Sequence, residues 1–133
     1  MSEWKEYRLE DIAEIQTGPF GSQLHKSDYV PVGVPCIMPT NIGSHLDLSI
    51  DGIARIKEED AIRLSKHIVH TGDIVYARRG DIEKCAYVKD SQDGWFCGTG
   101  CLEVYNFKDN VYIFKFYKIF HLFIKIIIFY FLF

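Results

Sequence analysis

Gly72-Asp-Ile-Val-Tyr-Ala-Arg-Arg-Gly-Asp-Ile-Glu-Lys-Cys-Ala-Tyr-Val-Lys89 is the stretch that decides the fold. Side chains along Ile74–Arg78 and again along Lys84–Lys89 follow a period of two, the period of a strand. Arg79-Gly80-Asp81 between them supplies a turn, so the two segments are expected to pair as strands. Downstream, Asp93-Gly94 is a second turn signal, before Trp95-Phe96-Cys97, and Cys101–Tyr105 reads as a further strand.

Upstream, Glu58–Lys66 reads as a helix. Ala61, Leu64 and Ile68 recur at helical spacing, and acidic residues fill its first turn, where the helix dipole favours them. Leu46, Leu48 and Ile50 alternate with polar residues. Asp51-Gly52 then leads into Ile53–Ile56, a pattern that predicts a hairpin. Val34–Met38 is a short apolar run bounded by prolines, expected as a strand with a restricted edge. Trp4–Thr17 reads as an entering segment and a short helix carried by Leu9, Ile12 and Ala13, with Gly18 as its C-terminal cap and Pro19 forcing an exit. The fold class is therefore α+β: a strand-rich mixed-sheet domain with two or three short helices, without the βα alternation of a doubly wound sheet.

The chain has 133 residues, 48% hydrophobic and 25% charged, which suits one packed domain. Residues 1–105 carry eleven Lys and Arg against seventeen Asp and Glu, a net of −6, and residues 106–133 carry four Lys and one Asp, a net of +3, which together make −3. An acidic body excludes a generic nucleic-acid coat, which needs a basic excess. Met1–Tyr7 is charged and lacks an apolar run, so no secretory leader and a cytoplasmic location are expected. Cys36, Cys85, Cys97 and Cys101 are then expected to be reduced and partly buried.

Composition breaks after Tyr105. Residues 111–133, VYIFKFYKIFHLFIKIIIFYFLF, contain only Val, Tyr, Ile, Phe, Lys, His and Leu. The chain is accordingly divided into a body, 1–105, and an apolar tail, 106–133, helical if ordered. Three readings of the tail stay open: translation out of frame past a break in a longer gene, a membrane-associating anchor, or a helix buried by a partner. As a membrane span it is poor, because Lys115, Lys118, His121 and Lys125 interrupt it and the run after Lys125 is eight residues long.

No stretch carries a catalytic constellation. Gly-x-Ser-x-Gly and His-Glu-x-x-His are both absent. Cys97-Gly-Thr-Gly-Cys101 has the wrong spacing for a zinc knuckle and no second ligand pair, so a glycine-rich bend is the better reading and no metal is expected. Gly18-Pro-Phe-Gly-Ser22 has no following Gly-Lys-Ser/Thr; it is a turn, or a loop offering backbone N–H groups to a phosphate. No cofactor is expected, and the chain reads as a binding module rather than an enzyme. The best local patch is residues 63–89, where Arg63, Lys66, Arg78, Arg79, Lys84 and Lys89 face Asp73, Asp81 and Glu83, a net of +3. Arginine at a loop tip can fork onto guanine or clamp phosphates. The same residues would serve equally as a salt-bridged surface.

Several blocks, in order, resemble the target-recognition domain of type I restriction–modification specificity subunits. They are Trp4…Tyr7-Arg-Leu-Glu-Asp-Ile-Ala-Glu-Ile15…Gly18; Phe20-Gly-Ser22…Tyr29…Gly33-Val-Pro-Cys-Ile37…Asn41-Ile42; Ile56…Glu59, Leu64 and Lys66; Gly72–Asp81; and Ala86-Tyr-Val88…Gly94-Trp95…Gly98-Thr-Gly-Cys-Leu102. The resemblance covers residues 4–105. It implies a domain that reads one half of a split site in double-stranded DNA and directs methylation or cleavage by separate methyltransferase and restriction subunits. The family pattern would continue into more sheet and a spacer helix, so the chain is expected to be truncated and its docking to those subunits incomplete. From side-chain chemistry and loop placement, Lys26, Lys66 and Lys84 are expected at phosphates, with Ser22 beside them on the Gly18–Ser22 loop. Arg78, Arg79, Gln23 and Asn41 are expected at base edges.

Overall fold

A computed structural model describes residues 8–81 and 83–108. The tail at 111–133, with its three readings, and the opening Trp4–Tyr7 lie outside the described residues. Among the described residues no helix is long and apolar enough to cross a membrane.

Among the described residues, seven strands form two sheets. The strands are β1 (Glu14–Thr17), β2 (Tyr29–Ile37), β3 (Ala54–Ile56), β4 (Ile74–Ala77), β5 (Cys85–Tyr87), β6 (Phe96–Cys97) and β7 (Cys101–Tyr105). The helices are α1 (Leu9–Ile12) and α2 (Glu58–Arg63). One sheet has the order β1-β7-β4-β5 and is antiparallel throughout. The other has the order β3-β2-β6, antiparallel between β2 and β3 and parallel between β2 and β6. This is the α+β, mixed-sheet architecture that the alternation predicts.

The pairing of β4 with β5 follows the expected period and turn: Val75 faces Ala86 and Tyr76 faces Cys85. β4 lies between β5 and β7 and is buried along its whole length. Alternation also sorts the second sheet. Ile37 and Cys97 turn toward the first sheet and pack with Val75, Ala77, Ala86, Val88 and Cys101. Their neighbours Cys36 and Phe96 turn the other way, onto Leu24, Ala61 and Leu64. The three-stranded sheet is thus a filling between the larger sheet and α2.

Three local expectations are corrected. The helix expected to run toward Thr17 stops at Ile12, and Glu14–Thr17 is a strand in register with Leu102–Tyr105; pairing in the sheet overrides the weak helical pattern. Gly18 is consequently a site of close approach rather than a helix cap, since a Cβ there would lie 2.1 Å from the Gly98 carbonyl oxygen. The segment around Val34–Met38 is not a restricted edge but the end of a nine-residue central strand. Its prolines are tolerated because β2 is irregular: Tyr29 and Val34 both oppose Ile56, and the intervening bulge is held by the Arg55 guanidinium donating to the Gly33 carbonyl at 2.9 Å. Finally, Leu46–Ile50 does not form a hairpin with Ile53–Ile56. Leu46 has φ 63°, which breaks the extended run, and Leu48 bridges Ile42 instead. The Asp51-Gly52 turn does form, with Gly52 at φ 63°, but it delivers β3 to β2.

One device recurs in the loops: a side-chain oxygen accepts the backbone N–H of the residue three positions earlier. Gln23 does this for Phe20, Asp28 for His25, Asn41 for Met38, Asp73 for His70 and Gln92 for Lys89. It satisfies donors that no strand reaches, and it explains why Asn41, Asp73 and Gln92 are buried despite being polar.

Candidate nucleic-acid interface

The topology brings one end of both sheets together. β1 ends at Thr17 beside the start of β7, β4 ends at Ala77 beside the same point, and β2 and β6 end in parallel at Ile37 and Cys97. The loops that leave these ends are stitched to each other. The Gly18 N–H donates to the Cys101 carbonyl at 2.9 Å, the Gly98 N–H to Ile37 at 2.9 Å and the Arg78 N–H to Gly100 at 2.7 Å. Thr99 Oγ1 donates to the Pro19 carbonyl at 3.0 Å. A Cβ on Gly100 would meet Pro39 at 3.2 Å and Arg79 at 3.5 Å. Loops 18–25, 38–41, 78–84 and 98–100 therefore form one rim. Glycine at 18 and 98 is what permits the backbones to approach this closely.

Most of the expected site residues sit on this rim, in different states. Ser22 and Arg79 are exposed. Gln23 is half-buried; its backbone carbonyl accepts from Arg63 Nη2 at 3.1 Å, and its side-chain oxygen from the Phe20 N–H at 3.1 Å. Lys84 is half-buried at the start of β5. Arg78 points inward: its Nε is buried without a hydrogen-bond partner among the described residues, and its charge acts on Cys97 and Cys101. Arg78 and Arg79 thus diverge, one to the core and one to solvent. Lys26 is exposed on the turn following the first rim loop. Lys66 is exposed next to His67, which is buried edge-on against Phe96 at 5.7 Å. Burial first, and then the Lys66 ammonium, lowers the His67 pKa, an effect partly offset by the Thr17 backbone. Lys66 therefore flanks the rim where β1 ends.

Besides Arg78, which turns inward instead of being held out toward a base edge, two expectations do not hold in this arrangement. Asn41 lies on the rim but is 4% exposed, and both ends of its amide are occupied: Oδ1 accepts from Met38 N–H at 2.9 Å and Nδ2 donates to the Ser49 carbonyl at 3.3 Å. It builds the loop and presents nothing to a base. The stretch 63–89 is also not one patch. Val88 pairs with Asp73 at the opposite end of β4, which carries Lys89 away from Arg79 and Lys84. Arg63 is drawn into an ion pair with Asp60 at 2.9 Å.

Sequence reasoning missed Phe20 and Thr99 on the rim. An apolar side chain inside a Gly-Pro-x-Gly turn is the signal that marks Phe20, because such a turn offers it no core to enter.

All four cysteines are free and buried. Burial pushes the Cys36 and Cys101 thiols up to about 12 and raises Cys97 as well. Neutral, protonated sulfur is a core filler rather than a ligand or nucleophile. Among the described residues no group of three or more His, Cys, Asp or Glu is placed to hold a metal ion.

The profile of the family described as "Type I restriction modification DNA specificity domain" matches residues 1–131. The chain belongs to this family. The match runs past the compositional break at Tyr105 and takes in most of the tail. Among solved structures, the specificity domain is similar to the S subunit of a type I restriction-modification system from M. genitalium, with a TM-score of 0.50 and 17% identity over 78% of this chain. At that identity the likeness concerns the fold. The chain spans 22% of that S subunit's length. No curated protein matches the sequence.

Proposed function

We propose that this specificity domain reads duplex DNA with the rim formed by loops 18–25, 78–84 and 98–100. The observation that carries the reading is the convergence of Ser22, Gln23, Arg79 and Lys84 on one end of two sheets, in loops bonded to one another through Gly18, Thr99 and Gly100. A rigid scaffold presenting variable polar loops is the common way to place base-reading side chains. Arg79 and Gln23 act at base edges. Lys26, Lys66 and Lys84 act at phosphates, and Ser22 contributes a hydroxyl to either. Arg78 supports the loop from inside, and Asn41 shapes it.

The chain performs no catalysis in this reading. It directs methylation or cleavage by separate methyltransferase and restriction subunits, in the cytoplasm. Binding of duplex DNA, followed as a function of salt, tests the proposal. Arg79→Ala is expected to weaken specific binding by about 1–3 kcal/mol, and Lys66→Ala to lower the slope of log K against log salt by about 0.9. Salt-independent binding, or an Arg79→Ala protein that binds as tightly as the parent, sinks it.

A further inference from the structure

The larger sheet buries both of its faces. Val75, Ala77, Ala86 and Cys101 turn toward the smaller sheet and fill the core between the two. Their neighbours along the strands have the opposite parity, and the register gathers them on the other face: Ile74 beside Val104, and Tyr76 beside Leu102 and Cys85. Each of these five is at most 8% exposed, yet neither described core contains any of them. A sheet with two apolar faces needs a layer on each. Among the described residues, α1 leads into β1 and holds Ile12, which is also buried and also in neither core. Its four residues make about 6 Å of helix, against a four-stranded sheet about 19 Å wide. α1 is too short to be the whole layer.

Chain continuity and sequence name the rest of it. β7 ends at Tyr105, and the Lys108 N–H donates to the Ile12 carbonyl at 2.8 Å, so the chain leaves the sheet beside α1. The family match runs on through the following segment, to residue 131. In that segment the polar residues are spaced for a helix. At about 100° per residue, Lys115, Lys118, His121 and Lys125 fall within an arc of about 120°, which they share with Val111, Phe114 and Leu122. The remaining side is apolar, with Phe116, Phe120 and Phe123 near its middle. A helix over 111–125 is about 22 Å long, enough to cross the sheet. We propose that residues 111–125 form an amphipathic helix lying across the outer face of the larger sheet, its apolar side on Ile74, Tyr76, Leu102 and Val104 and its Lys and His side in water. The segment then belongs to the domain's own packing and is not a membrane anchor.

Native thiols report on this face in the full chain. Cys85 lies on it, whereas Cys36, Cys97 and Cys101 belong to the two cores. Under native conditions, iodoacetamide is expected to leave all four unmodified in the parent. Phe120→Asp puts a carboxylate under the helix and should speed alkylation of Cys85 about tenfold or more, while the three core thiols stay protected. Lys118→Asp, on the water side, should leave Cys85 protected. Hydroxyl-radical footprinting of the parent reads the same geometry without a substitution: Phe114 should be oxidised faster than Phe116, Phe120 and Phe123. Docking is refuted if Cys85 of the parent reacts while the core thiols do not, if Phe120→Asp leaves all four thiols protected, or if the four phenylalanines are oxidised alike. A Phe120→Asp chain that exposes all four thiols has lost its fold, and the parent footprint then decides. Sedimentation of the parent with phosphatidylglycerol vesicles, or a dimer whose dissociation frees Cys85, gives the segment or the face another occupant and overturns docking as well.

Discussion

Replacing Glu103 by glutamine should stabilise the specificity domain and remove most of its pH dependence between pH 6.5 and 8. Glu103 lies in the middle of β7, in register with Gln16 on one side and Val75 on the other, and is 2% exposed. Its Oε2 has no hydrogen-bond partner among the described residues. Burial, reinforced by the Asp73 carboxylate, pushes its pKa from 4.5 to about 8. A carboxyl group whose folded pKa is raised stabilises nothing when ionised: the unfolded chain releases the proton above pH 4.5 while the folded chain holds it, so stability falls as pH rises and levels off beyond pH 8. Each tenfold difference in proton affinity is worth about 1.4 kcal/mol, so the held proton costs about 3 kcal/mol at pH 7, and stability declines by about 1–2 kcal/mol across the window from pH 6.5 to 8. Glutamine keeps the volume and has no charge to suppress. In urea unfolding, Glu103→Gln should therefore raise the midpoint at pH 7 by the equivalent of about 3 kcal/mol and lose the decline between pH 6.5 and 8. Parent and variant curves that fall in parallel over that window would refute the argument.

Other perturbations follow from the same packing. His67, buried with neither ring nitrogen in a close hydrogen bond among the described residues, has a lowered pKa, so the unfolded chain takes up a proton below pH 6.5 before the folded chain does. In the Glu103→Gln background, urea midpoints should fall as pH drops below 6.5, by up to about 1.4 kcal/mol per pH unit, and His67→Leu should flatten that fall. Gly98→Ala would place a Cβ 2.5 Å from the Ile37 carbonyl oxygen and 2.8 Å from Cys36 Sγ, which forces β2 and β6 apart. A loss of about 3 kcal/mol is expected in thermal or urea unfolding. Gly21→Ala, with nothing within 4 Å of the added carbon, is the control and should change stability by less than about 0.5 kcal/mol.

Much of the sheet was legible because period-two patterns and glycine turns are local signals. Ile74–Ala77 with Cys85–Tyr87, and Cys101–Tyr105, form where alternation places them. What sequence could not supply is partner choice between distant segments. β1 is a strand because β7 is beside it, and β3 joins β2 because the Asp51-Gly52 turn aims it there. The same holds for the candidate site. Ser22, Gln23 and Arg79 were reachable from residue chemistry, yet the inward turn of Arg78, the buried amide of Asn41 and the separation of Lys89 depend on which strand end each residue leaves. Phe20 escapes a reading that assigns apolar residues to the core by default; the Gly-Pro-x-Gly turn around it was the local signal, and its 65% exposure agrees with that signal.

The pairing of β1 with β7 has a temporal side. Glu14 faces Tyr105 and Thr17 faces Leu102, so the first strand of the larger sheet waits for the last. At ribosomal rates of about 5–20 residues per second, several seconds separate their appearance. During that interval β4 also lacks one of its two neighbours, and β2 lacks its parallel partner until Phe96 and Cys97 emerge. Long-range closure of this kind is slow and is rewarded only at the end. The rim loops therefore come together late, in the same event that completes the sheets, so that a nascent chain holds no assembled rim until Cys101–Tyr105 has been made.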